Sequence, residues 1–222
     1  MTSDRTQGFF HQYANDFDAI YSNRGGVVDG VLNRLFRKSM KLRFVKSVEG
    51  CNPIQGKTVL DVGCGPGHYS ITLAQRGARQ VLGLDFADGM LEIATRHAAA
   101  AGVGDRCRFM VGDFLTHDPP EPFDYVIVMG FMDYMGDPRK VIRKVLSLTR
   151  SKAFFSFPAA GGILAWQRKL RYKSRCDLFL YTEPQLRELF ASFSSAKTTI
   201  EQIARDFFVT MDVAAASSPP AA

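Results

Sequence analysis

From residue 57 onward, short apolar runs alternate with stretches in which apolar residues return every three to four positions. Five of the runs, over 58–62, 80–85, 107–111, 125–129 and 152–157, are continuous rather than alternating. Strands covered on both faces of a sheet read this way. The stretches between them predict helices over roughly 69–75, 89–101 and 138–148, with Gly77 and Gly102 placed just past two of these and suited to left-handed caps. Asp137 followed by Pro138 predicts a helix start. Alternation of strand and helix implies an α/β protein with a parallel sheet. Two flanks break the alternation. Before residue 57 the pattern predicts an aromatic-rich helix over 7–21 and a second over 27–48, split by a breaker at 22–26. After 157 come a breaker at 158–162, a basic and aromatic stretch over 163–181, and a helix over 183–193 capped by Thr182. Runs at 196–200 and 207–212 predict a closing hairpin, and the tail 214–222 is small-residue and Pro-containing, expected to fray.

Candidate chemistry enters where the first strand ends. Val59–Ser70 reads VLDVGCGPGHYS: an apolar run ending in an acid, three glycines in five residues, then a helix start. Gly63, Gly65 and Gly67 permit a sharp turn and a close ligand approach, at the carboxyl end of a parallel strand, where open α/β sheets bind ligands. The spacing is G-x-G-x-G, with His68 where a dinucleotide fingerprint has its third glycine. Asp61, two residues before Gly63, repels a pyrophosphate and suits a cationic amino group. These differences argue against NAD and FAD.

Composition narrows the class. At 222 residues, 46% hydrophobic and 23% charged, the chain is globular with one well-buried domain. Four widely spaced cysteines include no C-x-x-C and no zinc spacing, so free thiols and no metal are expected. The N-terminal residues mix charge with aromatics and lack a signal-peptide core. No apolar run reaches membrane-span length. A cytoplasmic location is therefore expected. The net charge of +6 concentrates in Arg34, Arg37, Lys38, Lys41, Arg43 and Lys46, and again in Arg168, Lys169, Arg171, Lys173 and Arg175. Such clusters are either solvated helix faces or contacts for nucleic acid, an anionic membrane or an acidic substrate.

The segment VLDVGCGPG, followed by LGLDFADGMLEIA and then VGDF, resembles the class I S-adenosylmethionine-dependent methyltransferases. The resemblance is strong over about 56–157 and weak in the flanks. It implies a Rossmann-like methyltransferase fold: a mostly parallel seven-stranded sheet, helices on both faces and a C-terminal antiparallel hairpin. It implies S-adenosylmethionine as cofactor, with Gly63, Gly65 and Gly67 along the methionine portion and Asp61 orienting its ammonium. Asp85, ending the second strand, suits the ribose diol, since one carboxylate accepts from two hydroxyls. Asp113 takes the adenine amino group, with Phe114 packed on the ring and Phe86 against adenine or ribose. Tyr13, Cys64, Met90 and Met129 complete the implied cofactor set. Residues 1–50 are implied as a helical lid or cap, 51–213 as the methyltransferase domain, and 158–181 as an acceptor-side insert.

Methyl transfer from a sulfonium is an in-line substitution in which alignment does most of the work, and a base is needed only for a nucleophile of high pKa. The loop after the fourth strand, within VIVMGFMDYMGD, offers Asp133 and Tyr134 as the catalytic candidates, walled by Phe131, Met132 and Met135. Asp133 is either a general base or a turn acid, and Tyr134 either bonds the acceptor or packs. His68 is either near the ligand or a partly exposed helix residue. The aromatic helix with His11, Tyr13, Phe17 and Tyr21 either closes over the donor, with a cation–π contact to the sulfonium, or packs on the sheet. Trp166, Tyr172, Phe179 and Tyr181, with the second basic cluster, suit a planar or anionic small-molecule acceptor. Their layout resembles small-molecule O-methyltransferases, including the magnesium-protoporphyrin type. Nucleic acid or a lipid is the alternative acceptor.

Overall fold

The computed structural model describes residues 31–161 and 178–213, with side chains from Lys38 onward. The expected helix over 7–21 with His11 and Tyr13, Trp166, Tyr172, the second basic cluster, Cys176 and the tail lie outside the described residues.

The described chain runs α1 (Val31–Gly50), β1 (Thr58–Val62), α2 (His68–Gln75), β2 (Gln80–Asp85), α3 (Asp88–Ala100), β3 (Cys107–Val111), β4 (Phe123–Val128), a 3₁₀ turn (Met132–Tyr134), α4 (Pro138–Ser147), β5 (Thr149–Pro158), α5 (Glu183–Ala191), β6 (Lys197–Ile203) and β7 (Asp206–Asp212). One seven-stranded sheet has the order β3-β2-β1-β4-β5-β7-β6. Its first five strands are parallel, and β7 pairs antiparallel with both β5 and β6. The expected α/β architecture with a terminal hairpin is therefore present.

Alternation within the buried strands assigns the two faces. Leu60, Val62, Val126, Val128, Phe155 and Phe157 point to one face, where Val141, Ile142 and Val145 of α4 and Leu186, Leu189 and Phe190 of α5 cover them. Val59, Val81, Tyr125, Ile127 and Phe154 point to the other, beneath Val48 of α1, Ile71 and Leu73 of α2 and Ala98 of α3.

Three strands run longer than their apolar runs. β4 starts at Phe123 because Asp124 accepts from Thr58 N–H at 2.9 Å, Thr58 Oγ1 at 3.1 Å and Lys57 Nζ at 3.1 Å. β5 starts at the polar Thr149, which pairs with Phe123. β6 keeps Glu201 and Gln202 in register with Phe208 and Phe207. Hydrogen bonds across the ladder, rather than side-chain pattern, set these ends. α5 begins with a capping box: Gln185 N–H donates to Thr182 Oγ1, and Thr182 N–H to Gln185 Oε1 at 2.9 Å. Thr182→Ala is expected to lower stability by about 1 kcal/mol, measured as a shift in the urea midpoint.

Candidate functional site at the carboxyl ends of the central strands

The chain leaves β1 toward β2 and β3 on one side and returns to β4 on the other. This reversal opens a crevice beyond the carboxyl ends of β1, β2 and β4, the usual ligand position in such sheets. The glycine loop fills its floor. Gly63 and Cys64 both donate their N–H to Leu84 C=O, at 2.8 and 3.2 Å, which ties the loop to the end of β2. Asp85, the last residue of β2, holds the same loop from its side chain: Oδ2 accepts from Gly65 N–H and Oδ1 from Ala87 N–H, each at 2.9 Å. Burial raises the Asp85 pKa, opposed by those backbone donors.

The loop glycines differ in what surrounds them. Gly65 has φ +51°, and a Cβ there meets no atom within 4 Å; its side is open. Gly67 has φ +81°, and a Cβ would lie 3.0 Å from Ala94 Cβ and 3.1 Å from Phe109 Cζ. The structure thus places Gly67 at a packing contact between the start of α2, α3 and β3.

Asp61 is 1% exposed on β1. Its Oδ2 accepts from Ser70 Oγ in α2 at 2.7 Å. Burial pushes its pKa up to about 7; the Ser70 bond opposes this, and the neighbouring charge of Asp85 adds to it. A cavity beside the loop is lined by Gly63, Leu84, Asp85, Phe86, Gly112, Asp113, Phe114 and Phe131. Gly112 N–H donates to Asp85 C=O at 2.9 Å and so joins the ends of β2 and β3. Asp113 Oδ1 accepts from Leu115 N–H at 2.9 Å. Phe114 and Phe131 meet edge to face, with centroids 6.2 Å apart. Of the expected cofactor residues, Gly63, Asp85, Phe86, Asp113 and Phe114 line this cavity, while Asp61, Gly65 and Gly67 do not. Two carboxylates and three aromatic rings there suit a ligand with hydroxyls and a flat ring.

Residues 59–152 match the family model described as a methyltransferase domain. Those residues are a methyltransferase domain. Among similar sequences, a ubiquinone biosynthesis O-methyltransferase of Pseudomonas fluorescens is 37% identical over 105 residues, 46% of this chain and 45% of that one. One from Neisseria meningitidis is 39% identical over 114 residues, covering 49% and 47%. The matched stretch thus spans about half the length of these curated relatives. A magnesium protoporphyrin IX methyltransferase from Synechocystis, crystallised with bound SAH, superposes with a TM-score of 0.74 at 20% identity, covering 93% of this chain and 97% of that one. At that identity the superposition shows the shared fold.

The remaining expected site residues of the described chain lie off the cavity lining. Met90 is 2% exposed and packs with Ala87, Ile93 and Phe86, behind the cavity wall. Cys64 is buried, and its Sγ lies 2.9 Å from where a Cβ on Gly83 would sit. Met129 packs on the face covered by α1–α3. None of the three lines the cavity. Asp133 and Tyr134 sit in the 3₁₀ turn after β4, also off the cavity lining. Asp133 is 3% exposed. Its C=O accepts from Phe179 N–H at 2.9 Å, and burial with the Asp133 charge pushes the Tyr181 phenol up to about 12. Asp133 therefore faces the described chain where it resumes at 178–181. Tyr181 closes that return, pairing with Ala159 and stacking edge-on to Phe157 at 5.0 Å. His68 opens α2, 6.1 Å from His97 between ring centroids.

The sequence pattern missed the roles of Ser70, Leu84 and Gly112. Ser70 stands in the same motif as Asp61, nine residues on, but only the return of α2 across β1 brings the two together. Among the described residues, no group of three or more His, Cys, Asp or Glu side chains could hold a metal.

Proposed function

We propose that this protein transfers a methyl group from S-adenosylmethionine to a small-molecule acceptor through an oxygen or nitrogen nucleophile. The observation that carries this is the Asp85 clamp on an open glycine cradle, within a domain of this family. The O-methyltransferase relatives support an oxygen nucleophile.

The residues present fit the cofactor. A Cβ at Gly65 would project into open space beside the loop, which leaves room for the methionine chain. Asp61 is the group to face the ammonium. Asp85 spends one lone pair of each oxygen on a backbone N–H and retains others for a ribose diol. Asp113 is assigned to the adenine amino group, between Phe86, Phe114 and Phe131. When bound, the cofactor supplies a methyl activated on a sulfonium. The chain's part is to orient and to exclude water. Asp133 and Tyr134, with Tyr181, are assigned to the acceptor side, where a buried carboxylate can take the proton of a hydroxyl. Of residues 1–50, expected as a lid, α1 packs on the sheet through Val48 and Phe44; residues 158–181 are assigned as the acceptor insert. Among the described residues, no helix is long and apolar enough to cross a membrane, and Cys51, Cys64 and Cys107 are free thiols; we assign the protein to the cytoplasm. The first basic cluster does not favour nucleic acid: Arg43 is buried, and Lys46 pairs with Glu201 at 2.9 Å.

Isothermal titration with S-adenosylmethionine and S-adenosylhomocysteine tests the donor assignment. Saturable binding of both is expected, and absence of both would overturn it. Gly65→Ala is expected to weaken binding by about tenfold, since the new methyl occupies the open side of the loop that the ligand needs. Incubating cell extract with labelled donor, followed by mass spectrometry, identifies the acceptor.

A further inference from the structure

Arg43 of α1 carries a permanent charge yet is 8% exposed. Its Nη1 donates to Ser156 Oγ at 3.2 Å, and its Nε lies 3.6 Å from Asp206 Oδ2. Ser156, 1% exposed near the end of β5, also accepts from Gly130 N–H at 2.8 Å. Gly130 has φ +71° and begins the turn that carries Phe131 and Asp133. A continuous buried chain, Asp206–Arg43–Ser156–Gly130, thus links the C-terminal hairpin, the N-terminal helix and the loop after β4.

This chain is not needed to hold α1 down. The helix already packs through Val48 and Phe44, and a buried ion pair is weak support for stability. What it does supply is direction. The rigid, planar guanidinium holds its Nη1–H on Ser156 Oγ while its charge stands against Asp206. Its far end fixes the one backbone N–H from which the loop departs. Phe131 then reaches the glycine loop, with Cδ2 3.0 Å from where a Cβ on Gly63 would sit.

We propose that Arg43 is a positioning residue: through Ser156 it fixes the backbone at Gly130 and so sets where the loop carrying Phe131 and Asp133 stands against the donor cavity. The functional meaning of that loop rests on the methyltransferase assignment; its mechanical fixation does not. One side chain of α1 then sets the geometry of the loop after β4.

Hydrogen exchange by mass spectrometry on the full chain tests this with Arg43→Met, Ser156→Ala and the double variant. In either single variant, exchange in the peptide spanning 129–135 is expected to rise by about tenfold, while β1 and β2 stay within about twofold of wild type. The double variant is expected to exchange in that peptide no faster than Ser156→Ala alone, because both substitutions cut one chain. Protection at 129–135 unchanged within about twofold, a rise spread equally over the sheet, or additive effects would each overturn the proposal. If Arg43→Met does not fold, Ser156→Ala decides by the same thresholds. Failure of the wild type to bind S-adenosylhomocysteine would overturn the methyltransferase assignment and leave the exchange result standing.

Discussion

Asp85→Ala is expected to weaken S-adenosylmethionine and S-adenosylhomocysteine binding by about 100-fold, read by titration calorimetry. Two losses combine. The carboxylate no longer meets the ribose hydroxyls, and the glycine loop loses its clamp, because Gly65 N–H and Ala87 N–H both depend on this side chain. Hydrogen bonds to a charged group are worth about 1.5–3 kcal/mol each, and about 2.8 kcal/mol is a hundredfold in affinity. Asn is no rescue. Both carboxylate oxygens accept from backbone N–H, and an amide offers only one oxygen, so its NH₂ would face a donor. Asp85→Asn should therefore bind nearly as poorly as Asp85→Ala, with a melting temperature a few degrees below wild type in both. A folded Asp85→Ala protein that binds with wild-type affinity would place the donor elsewhere.

Donor affinity is also expected to fall as the solution is acidified below pH 7, approaching about tenfold per pH unit and amounting to about 50-fold between pH 7 and 5. Burial, as the largest cause, pushes Asp61 from the ordinary 3.8 up to about 7. A cationic ammonium favours the ionised carboxylate, so binding competes with the proton that Asp61 retains at low pH. The sign for stability is the reverse. The folded-state pKa is raised, so the contribution of Asp61 to stability is fully present below its unfolded value and is lost as pH rises through about 7. Asp61→Asn isolates both effects, since the amide oxygen still accepts from Ser70 Oγ but does not titrate. The variant's affinity should be weak at pH 7.5 and flat with pH. The melting temperature of wild type relative to Asp61→Asn should increase as pH falls from 7.5 to 5. Parallel pH profiles for the two proteins would remove Asp61 from the donor site.

The succession of strands and helices along the chain was legible because each central strand is apolar on both sides, and such runs leave few alternative structures; the place of each strand in the sheet came only with the fold. Strand ends were less legible. Thr149, Glu201 and Gln202 are polar or charged, and ladder pairing to Phe123, Phe208 and Phe207 puts them in strands. The basic stretch of α1 was ambiguous for a similar reason. Charge pattern alone does not distinguish Lys38, which is exposed, from Arg43, which is buried on Ser156 and Asp206 more than a hundred residues away in sequence.

The sequence by itself determined the α/β class, the glycine turn and the acids ending the first three strand segments, because these depend on local periodicity and on residues adjacent in the chain. Tertiary structure alone decided how the turn's parts divide their work. Asp85 holds Gly65 from the neighbouring strand, Gly65 stays open while Gly67 is closed by Ala94 and Phe109, and Ser70 returns to Asp61. It likewise decided that Arg43 reaches the loop after β4. Each of these is a contact between segments that meet only when the sheet assembles. Burial, which sets the charge state of Asp61 and the direction of Arg43, is a property of that assembly and not of any single stretch of chain.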